Sequence, residues 1–383
     1  MKIYTHLNHY ISPSSEEGLS EAWCRSLGRL GDYTAIIVRS LNLRPIAVSL
    51  QAQTAEHILV RLSMPNEHLI LRVAPEDDLS AYVYMMRAMS GHNLPSPKII
   101  QRDLSRSLVP FAFTLESYVP GVTADQLPDG PLLRGAARQA GRALRRMHRI
   151  PAGGAGRPTT SGRWPQQQSW RSVLRQIGRR MAAPPSDALV FGEPERAVIA
   201  AVLDSPLLDF QQSVLIHGSF GPHSARCTTG ENVHLEAIID PGTYVGGDGI
   251  YDLACGLSAA YPAAWRESLL DGYQSVAPLT PDEQRRLPAL RLLASYWGAC
   301  RRYIRAEPHE EVRAEAMRLI DELAHEIADC RLDKVSGARF VVGASAPVRL
   351  KPPLRTSQFV KYPRTLSQAE IWHLDAFDLK PET

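Results

Sequence analysis

The sequence predicts an α+β protein in which a small antiparallel sheet with a helix precedes a mostly helical region. Apolar runs at residues 58–62 and 68–73 flank the turn cluster Ser-Met-Pro-Asn-Glu, a pattern typical of a β-hairpin. Apolar residues then recur at spacings of three and four, which places them on one face of a helix: Leu133, Ala137, Ala140, Leu144 and Met147. A similar stripe, from Val312 to Ile327, closes the helical region.

The first 117 residues are predicted to form the sheet-containing lobe. Helices are expected at residues 17–30 and 79–89, the second ending before Gly91. Besides the hairpin, strands are expected at residues 46–50 and 111–118.

Residues 118–330 are predicted to form the helical lobe. Residues 151–168 are rich in Gly, Pro, Ser and Thr and read as a loop, after which helices are expected at residues 170–181 and 194–203. Apolar runs at residues 214–216 and 235–239 flank a turn rich in Gly and Thr, which predicts a second hairpin.

Residues 331–383 differ in composition. From Arg331 to Arg364 the chain has eight basic residues, one acidic residue and four prolines, which predicts an extended basic arm. An acidic-aromatic segment follows, with Trp372 and Phe377 at its centre. It is either a solvated tail or a segment that docks on this chain or on a partner protein.

Composition excludes several classes of protein. The 383 residues carry a formal charge of only +3, which argues against a dedicated nucleic-acid binder. No apolar stretch approaches 18 residues and the first residues lack a signal pattern, so the expectation is a cytoplasmic protein without a membrane span. The five cysteines are scattered, which favours reduced thiols over a disulfide framework or a zinc site. The Ala- and Arg-rich usage is typical of a bacterial source.

The segment at residues 214–254 carries the chemistry. A predicted strand ends at His217-Gly218, a loop follows, and a second strand leads to Asp240; Asp252 follows at the start of a helix. A loop acid that orients a hydroxyl and a second acid that holds magnesium are arranged in this way at kinase-like phosphoryl-transfer sites.

The sequence here resembles the aminoglycoside phosphotransferase and choline kinase-like family, whose pattern is His-Gly-Asp-x-x-x-x-Asn, then Ile-Asp, then Gly-Asp-x-x-Tyr-Asp-Leu-Ala. The matching residues, in order, are His217, Gly218, Asp240, Gly247, Asp248, Tyr251, Asp252, Leu253 and Ala254. The resemblance covers about residues 30–330. It implies a two-lobe protein kinase-like fold, ATP and Mg as cofactors, and a hydroxylated small molecule as substrate.

The resemblance also assigns roles outside this segment. Arg72 would pair the phosphates of the nucleotide, and Asp240 would hold the metal. Residues 115–121, with Glu116 and Tyr118, would form the hinge whose backbone binds adenine. The helical subdomain at about residues 165–205 would select the acceptor.

The departures from the family pattern argue against ATP and Mg. The catalytic loop spans residues 217–224, where Ser219 replaces the catalytic Asp and Ser224 replaces the metal-binding Asn. The nucleotide-covering loop at residues 50–57 has no glycine, and no acid lies between residues 79 and 89 to pair Arg72. A Ser hydroxyl accepts no proton at neutral pH, and losing a general base costs typically about 10²–10⁴-fold in rate.

These departures leave three hypotheses. The first is a pseudokinase that binds a small molecule, a nucleotide or a partner protein. The second is an active ATP-dependent phosphotransferase with a rewired site, in which His217 or His223 serves as base, or Asp240 and His223 hold a metal. The third is an α/β-hydrolase, in which residues 214–218 form the oxyanion strand and Ser258 is the nucleophile.

Overall fold

A five-stranded antiparallel sheet forms the N-terminal part of the protein. Its strands are β1 (Ala47–Gln53), β2 (Ile58–Ser63), β3 (His68–Ala74), β4 (Ile99–Asp103) and β5 (Ala112–Ser117), in the spatial order β1-β2-β3-β5-β4. Ser63 pairs with His68 in the β2–β3 hairpin, as predicted from the apolar runs around the turn. The strand β4 was not predicted, because only two apolar residues begin it and its side chains are half-buried or exposed.

The structure is a computed structural model that describes residues 3–8, 20–53, 57–165, 168–182, 186–209 and 212–332, with side chains described up to residue 323. The predicted arm and acidic-aromatic segment, residues 331–383, lie outside the described residues, except that residues 331 and 332 end a helix. Among the described helices, none combines the length and the apolar character that crossing a membrane requires.

Two short helices cover one face of the sheet. They are α1 (Glu21–Gly28) and α2 (Leu30–Ser40), and Ser20 caps α1 by accepting a hydrogen bond from the Trp23 amide. Trp23 is 1% exposed and packs in one apolar cluster with residues of β1, β2, β3 and β5. Within the described residues, the helix predicted at residues 17–30 begins at Glu21 and ends at Gly28. The helix α2 was not predicted.

The helix α3 (Ser80–Gly91) belongs to a second apolar cluster, which extends through the helical region. That region contains β6 (Val122–Thr123), α4 (Pro131–Met147), α5 (Trp170–Met181), α6 (Ser186–Val190), α7 (Glu193–Asp204), β7 (Val214–Leu215), β8 (Ala225–Thr229), β9 (Val233–Ile238), β10 (Gly246–Gly247), α8 (Gly249–Gly256), α9 (Ala263–Val276), α10 (Pro281–Ile304) and α11 (Glu310–Leu332). The predicted α+β class, with a sheet followed by helices, is confirmed.

The second predicted hairpin is wrong in its pairing. The strand β7 pairs with β10, whereas β9 pairs with β8 across a turn at residues 230–232. The prediction failed because the polar strand β8, Ala-Arg-Cys-Thr-Thr, was read as part of the turn. In consequence β7 and β9 deliver residues 217–224 and Asp240 to one place from two different sheets.

The α/β-hydrolase hypothesis is wrong. The large sheet is antiparallel throughout, whereas that fold needs a mostly parallel sheet and a nucleophile on a turn from strand to helix. Ser258 instead follows the C-terminal end of α8, in a turn.

Candidate functional site

One buried carboxylate fixes the start of the catalytic-type loop, residues 217–224. Asp252 is fully buried in the first turn of α8 and accepts hydrogen bonds from the backbone amides of His217 (2.5 Å) and Gly218 (2.7 Å). His148, at the end of α4, lies 3.2 Å from the same carboxylate through Nε2. Asp252 therefore acts as an anchor that joins the loop to α4 and α8.

Gly218 allows the loop to turn. Its φ is +79°, in the left-handed region that favours glycine, and a Cβ added there would lie 2.3 Å from the carbonyl oxygen of Tyr244. Any larger residue would have to displace the backbone that follows Asp240.

The loop is also bonded to the chain around Asp240. The His217 ring is buried and its Nε2 lies 2.8 Å from the carbonyl oxygen of Ile239. The Ile239 amide donates to the carbonyl of Ser224, and the Gly242 amide donates to the carbonyl of His217. Burial lowers the pKa of His217, so a neutral ring donates to Ile239. His217 thus connects the catalytic-type loop to the chain segment around Asp240.

Ser219 and Ser224, at the positions of the family's Asp and Asn, bond to each other through the backbone. The Ser224 hydroxyl is fully buried and donates to the carbonyl oxygen of Ser219 at 3.3 Å. The His223 Nε2 lies 3.1 Å from the same carbonyl. Ser224 therefore stabilises the loop through a buried hydrogen bond.

His223, the candidate base or metal ligand of the loop, is buried. Burial, with a smaller contribution from the charge of Arg301, lowers the pKa of His223 to about 4. The neutral ring accordingly donates its Nε2 proton to Ser219, which removes that nitrogen as a proton acceptor.

The buried His223 predicts a pH dependence of stability. Its folded-state pKa of about 4 lies below the ordinary value of about 6.5, so the unfolded chain binds the proton first. The stabilisation is complete above about pH 6.5 and falls by about 3 kcal/mol as the pH drops through 4. Urea unfolding between pH 4 and pH 7 should show a smaller loss in His223→Gln than in the unmodified chain. The exposed His234→Gln is the control, and equal slopes in all three proteins would contradict the prediction.

Arg72, the residue assigned to the phosphates, is 4% exposed and engaged on every side. Its Nε donates to Glu116 at 2.9 Å and its Nη2 to Asp240 at 3.2 Å. Its Nη1 lies 2.6 Å from His57 Nε2, and because arginine only donates, His57 accepts. The Tyr82 ring stacks on the guanidinium at 4.2 Å, and its hydroxyl donates to Glu116.

The charged groups of this cluster shift one another's pKa values. Burial acts to lower the pKa of Arg72, but Tyr82, Glu116 and Asp240 outweigh it and raise the pKa, so Arg72 stays protonated. Burial raises the pKa of Glu116, against the opposing effect of Arg72. Burial and the Arg72 charge lower the pKa of His57, which keeps its ring neutral. One buried cation thus faces two carboxylates.

Asp240 reaches this cluster from an unusual backbone conformation. Its φ is +54°, which is uncommon outside glycine, although Asp tolerates it better than most residues. The side chain is 22% exposed and also lies 3.6 Å from His57 Nε2. Asp240 thereby joins the helical region to β3 through Arg72.

The hinge segment uses its backbone groups within the protein. Glu116 lies inside β5, paired with Ile70 on one side and Ile99 on the other, and its side chain points to Arg72. The Ser117 amide donates to Lys98 and the Tyr118 amide to His68. The Val119 carbonyl accepts from Arg226 at 2.9 Å. The Tyr118 ring lies under the guanidinium of Arg61 at 4.7 Å.

Two cavities border the site. The smaller, about 30 Å³, lies beside Arg72, Tyr82 and Asp77 and has room for about two waters. The larger, about 140 Å³, lies between Ser219, Tyr244, α5 and α10 and shares Gly242 and Thr243 with the smaller. The loop forms one wall of it, through Gly218, Ser219, Phe220 and His223, and α5, which lies within the range expected to select the acceptor, forms another.

The comparisons with known proteins concern the family and the fold. The family model described as phosphotransferase enzyme family matches residues 55–288. No curated protein matches the sequence. The structure of a thermostable mutant of aminoglycoside phosphotransferase APH(4)-Ia is 17% identical with a TM-score of 0.53, covering 76% of this chain and 99% of that chain. A ternary complex of such a mutant with AMP-PNP and hygromycin B is 16% identical with a TM-score of 0.54, covering 75% and 97%.

These neighbours confirm the predicted two-lobe kinase-like fold, and the family model covers more than half of the residues. The chain belongs to the phosphotransferase enzyme family.

Proposed function

We propose that this protein is a pseudokinase that binds a small molecule and transfers no phosphate. The observation that carries the proposal is the ion-pair cluster of Arg72 with Glu116 and Asp240. The cation assigned to the phosphates and the acid assigned to the metal bind each other, so neither is available for a nucleotide without breaking a buried pair.

The residues present do not fit a magnesium ion. Magnesium takes oxygen ligands, usually from one or two carboxylates with the substrate phosphates. Asp240 already neutralises Arg72, and the Ser224 hydroxyl donates to a carbonyl. Among the described side chains, no group of three or more His, Cys, Asp and Glu is placed to hold a metal.

The residues present also do not fit ATP. The Ser117 and Tyr118 amides and the Val119 carbonyl, at the hinge, are engaged within the protein. The cavity beside Arg72 is too small for a triphosphate. At the loop, Ser219 is no base and His223 donates its Nε2 proton to a carbonyl. The cation and the metal-type acid that phosphoryl transfer needs are thus engaged with each other, and the loop offers only a weakly basic imidazole.

The ligand site in this proposal is the larger cavity. It lies against the catalytic-type loop, as an acceptor would, and Arg72 lines only the smaller cavity next to it. A partner protein that recognises the chain through residues 331–383 is compatible with such a role and is a separate hypothesis.

A titration with ATP and magnesium tests the proposal. At about 5 mM, a nucleotide with a Kd of about 50 µM would stabilise the folded state by about 2.7 kcal/mol. We expect no stabilisation in thermal unfolding, and no ADP release with a panel of hydroxylated small molecules.

A second measurement tests whether restoring the family's Asp and Asn in the loop produces phosphotransferase activity. The Ser219→Asp, Ser224→Asn variant is expected to stay inactive, because the Arg72 cluster and the hinge are unchanged in it. Steady turnover by the unmodified chain that is lost in Asp240→Ala would overturn the proposal in favour of an active phosphotransferase with a rewired site.

A further inference from the structure

The helix α4 carries arginines on its exposed face and has neither Asp nor Glu. One of its arginines, Arg145, is buried and bonded to Glu283. The other arginines of the helix are exposed, as is Arg149 just after its end. We call these exposed residues the arginine stripe; they are Arg134, Arg138, Arg142, Arg146 and Arg149.

The arginine stripe is held in a fixed position. An α-helix turns by about 100° and rises by about 1.5 Å per residue, so the residues from Arg134 to Arg146, spaced by four, lie within about 120° of the circumference and about 18 Å of the axis length. The opposite face is buried, and at Gly141 an added Cβ would lie 2.2 Å from the Leu269 carbonyl oxygen of α9. The close packing of α4 on α9 therefore orders the backbone that carries the stripe.

One acid of the described structure pairs with the stripe. Asp271 of α9 lies 2.7 Å from the Arg138 Nε, and both side chains are more than half exposed. Arg142 donates to the Ser275 hydroxyl and Arg149 to the Val276 carbonyl, which are neutral groups. Among the described side chains, no other acid forms an ion pair with the stripe. Most of its positive charge is therefore not neutralised within the described residues.

This arrangement of charge is unfavourable for an isolated helix. Like charges spaced by four residues repel each other and destabilise a helix. A cation near the N-terminal end, as at Arg134, also opposes the helix dipole, and the first turn has no acid to offset it. Guanidinium groups bind carboxylates with charge-assisted hydrogen bonds, so a segment that carries several carboxylates would relieve this repulsion.

The acidic-aromatic segment of this chain has the complementary charge. Its acids outnumber its one lysine, Lys380, and they are Glu370, Asp375, Asp378 and Glu382. Glu370 follows Leu332, the last described residue, by 38 residues, which span up to about 125 Å when extended. A compact body of this size has a radius of gyration of about 20 Å. The acids can therefore reach α4 from the end of α11.

The basic arm between these two points is a competing partner for the same acids. Its eight basic residues are spread along residues 331–364. The arginines of α4 are instead ordered over about 18 Å by the folded helix, and binding to a preorganised surface costs less conformational entropy. Charge and preorganisation together favour the stripe over the arm.

We propose that residues 370–382 dock on the arginine stripe of α4 in the same chain, with their carboxylates bound by its guanidinium groups. The stripe lines neither of the two cavities, so this interaction surface is separate from the candidate site. The inference goes beyond the proposed function and does not depend on it.

Photochemical cross-linking of the full chain tests the docking. Phe377 is replaced by p-benzoylphenylalanine, and the cross-linked peptides are identified by mass spectrometry. We expect cross-links to residues 134–149 of α4 and to the adjacent face of α9. Their yield should fall between about 0.1 M and 1 M salt, because the Debye length shrinks from about 10 Å to about 3 Å. A mixture of isotopically labelled and unlabelled chains distinguishes cross-links within one chain from those between copies.

Two sets of variants locate the interaction. The stripe variant, Arg134→Gln, Arg142→Gln, Arg146→Gln, should lower the cross-link yield at least about threefold. The control removes the same charge from exposed arginines outside the stripe and should leave the yield unchanged: Arg44→Gln, Arg179→Gln, Arg318→Gln.

The acid variant changes only residues outside the described part of the chain, so it serves if the stripe variant does not fold. It should show the same loss of yield as the stripe variant: Glu370→Gln, Asp375→Asn, Asp378→Asn, Glu382→Gln.

Four results would overturn the docking. They are an absence of cross-links, cross-links to residues 331–364 instead of α4, cross-links between copies of the chain, and equal yields from the stripe variant and its control. Nucleic acid that the full chain retains and the stripe variant loses, without cross-links to α4, would overturn it in favour of a nucleic-acid partner. None of these results bears on phosphate transfer, and phosphate transfer by the chain would leave the docking unchanged.

Discussion

Replacing Asp252 by alanine is expected to lower the free energy of unfolding by about 3–5 kcal/mol. The carboxylate is fully buried and accepts from the amides of His217 and Gly218 while it pairs with His148. Removing it leaves two buried amides and an imidazole without their acceptor, and each such loss costs about 1–3 kcal/mol. Chemical unfolding in urea measures the change directly.

The matched control is Asp271→Ala. Asp271 also forms an ion pair, with Arg138 at 2.7 Å, but both side chains are more than half exposed. Exposed pairs contribute about 0–1 kcal/mol, so this variant should unfold almost like the unmodified chain. Equal losses in the two variants would show that Asp252 does not anchor the loop. The conservative Asp252→Asn keeps one acceptor oxygen and should fall between them.

The sequence predicted the positions of most long elements because their apolar spacing is regular. The four-and-three pattern of α4 and the two runs of the β2–β3 hairpin are examples. The short polar strands β4 and β8 escaped prediction, since strands of this kind are defined by their neighbours and not by their own composition. Without β8, the pairing of β7 with β10 could not be deduced.

The candidate site was predicted in outline only. The motif residues around His217 and Asp240 do meet, but Glu116 was assigned to a nucleotide through its backbone, and its side chain proves to be the partner of Arg72. A signal for this was present in the sequence. An arginine in the middle of an apolar strand needs a buried counter-charge, and Glu116 is the acid of the apolar strand that follows α3 and β4. His57 and Tyr82 carried no comparable signal, because their approach to Arg72 depends on tertiary packing.

Replacing Arg72 by methionine is expected to cost about 3–5 kcal/mol in the absence of any ligand, because it leaves Glu116 buried without its cation. If Arg72 served only to bind a nucleotide, the ligand-free protein would lose little. The double variant Arg72→Met, Glu116→Gln removes both charges of the pair. We therefore expect its loss to be smaller than the sum of the two single losses by about 0.5–3 kcal/mol in a double-mutant cycle.

The pH dependence of the Arg72→Met loss provides a second, independent readout. Burial already raises the pKa of Glu116, and Arg72 is the first of the groups that oppose this rise. Without Arg72 the folded-state pKa of Glu116 should rise further above the unfolded value, so the acid is tolerated in its protonated form at low pH. That stability is lost as the pH rises through the folded-state pKa, and the difference in unfolding free energy between Arg72→Met and the unmodified chain should grow from pH 5 to pH 8. In Arg72→Met, Glu116→Gln the growth should disappear, since the titrating carboxyl is gone. A loss in Arg72→Met that is independent of pH, with additive single and double variants, would mean that the cluster does not hold the two lobes together and that Arg72 is free to serve a ligand.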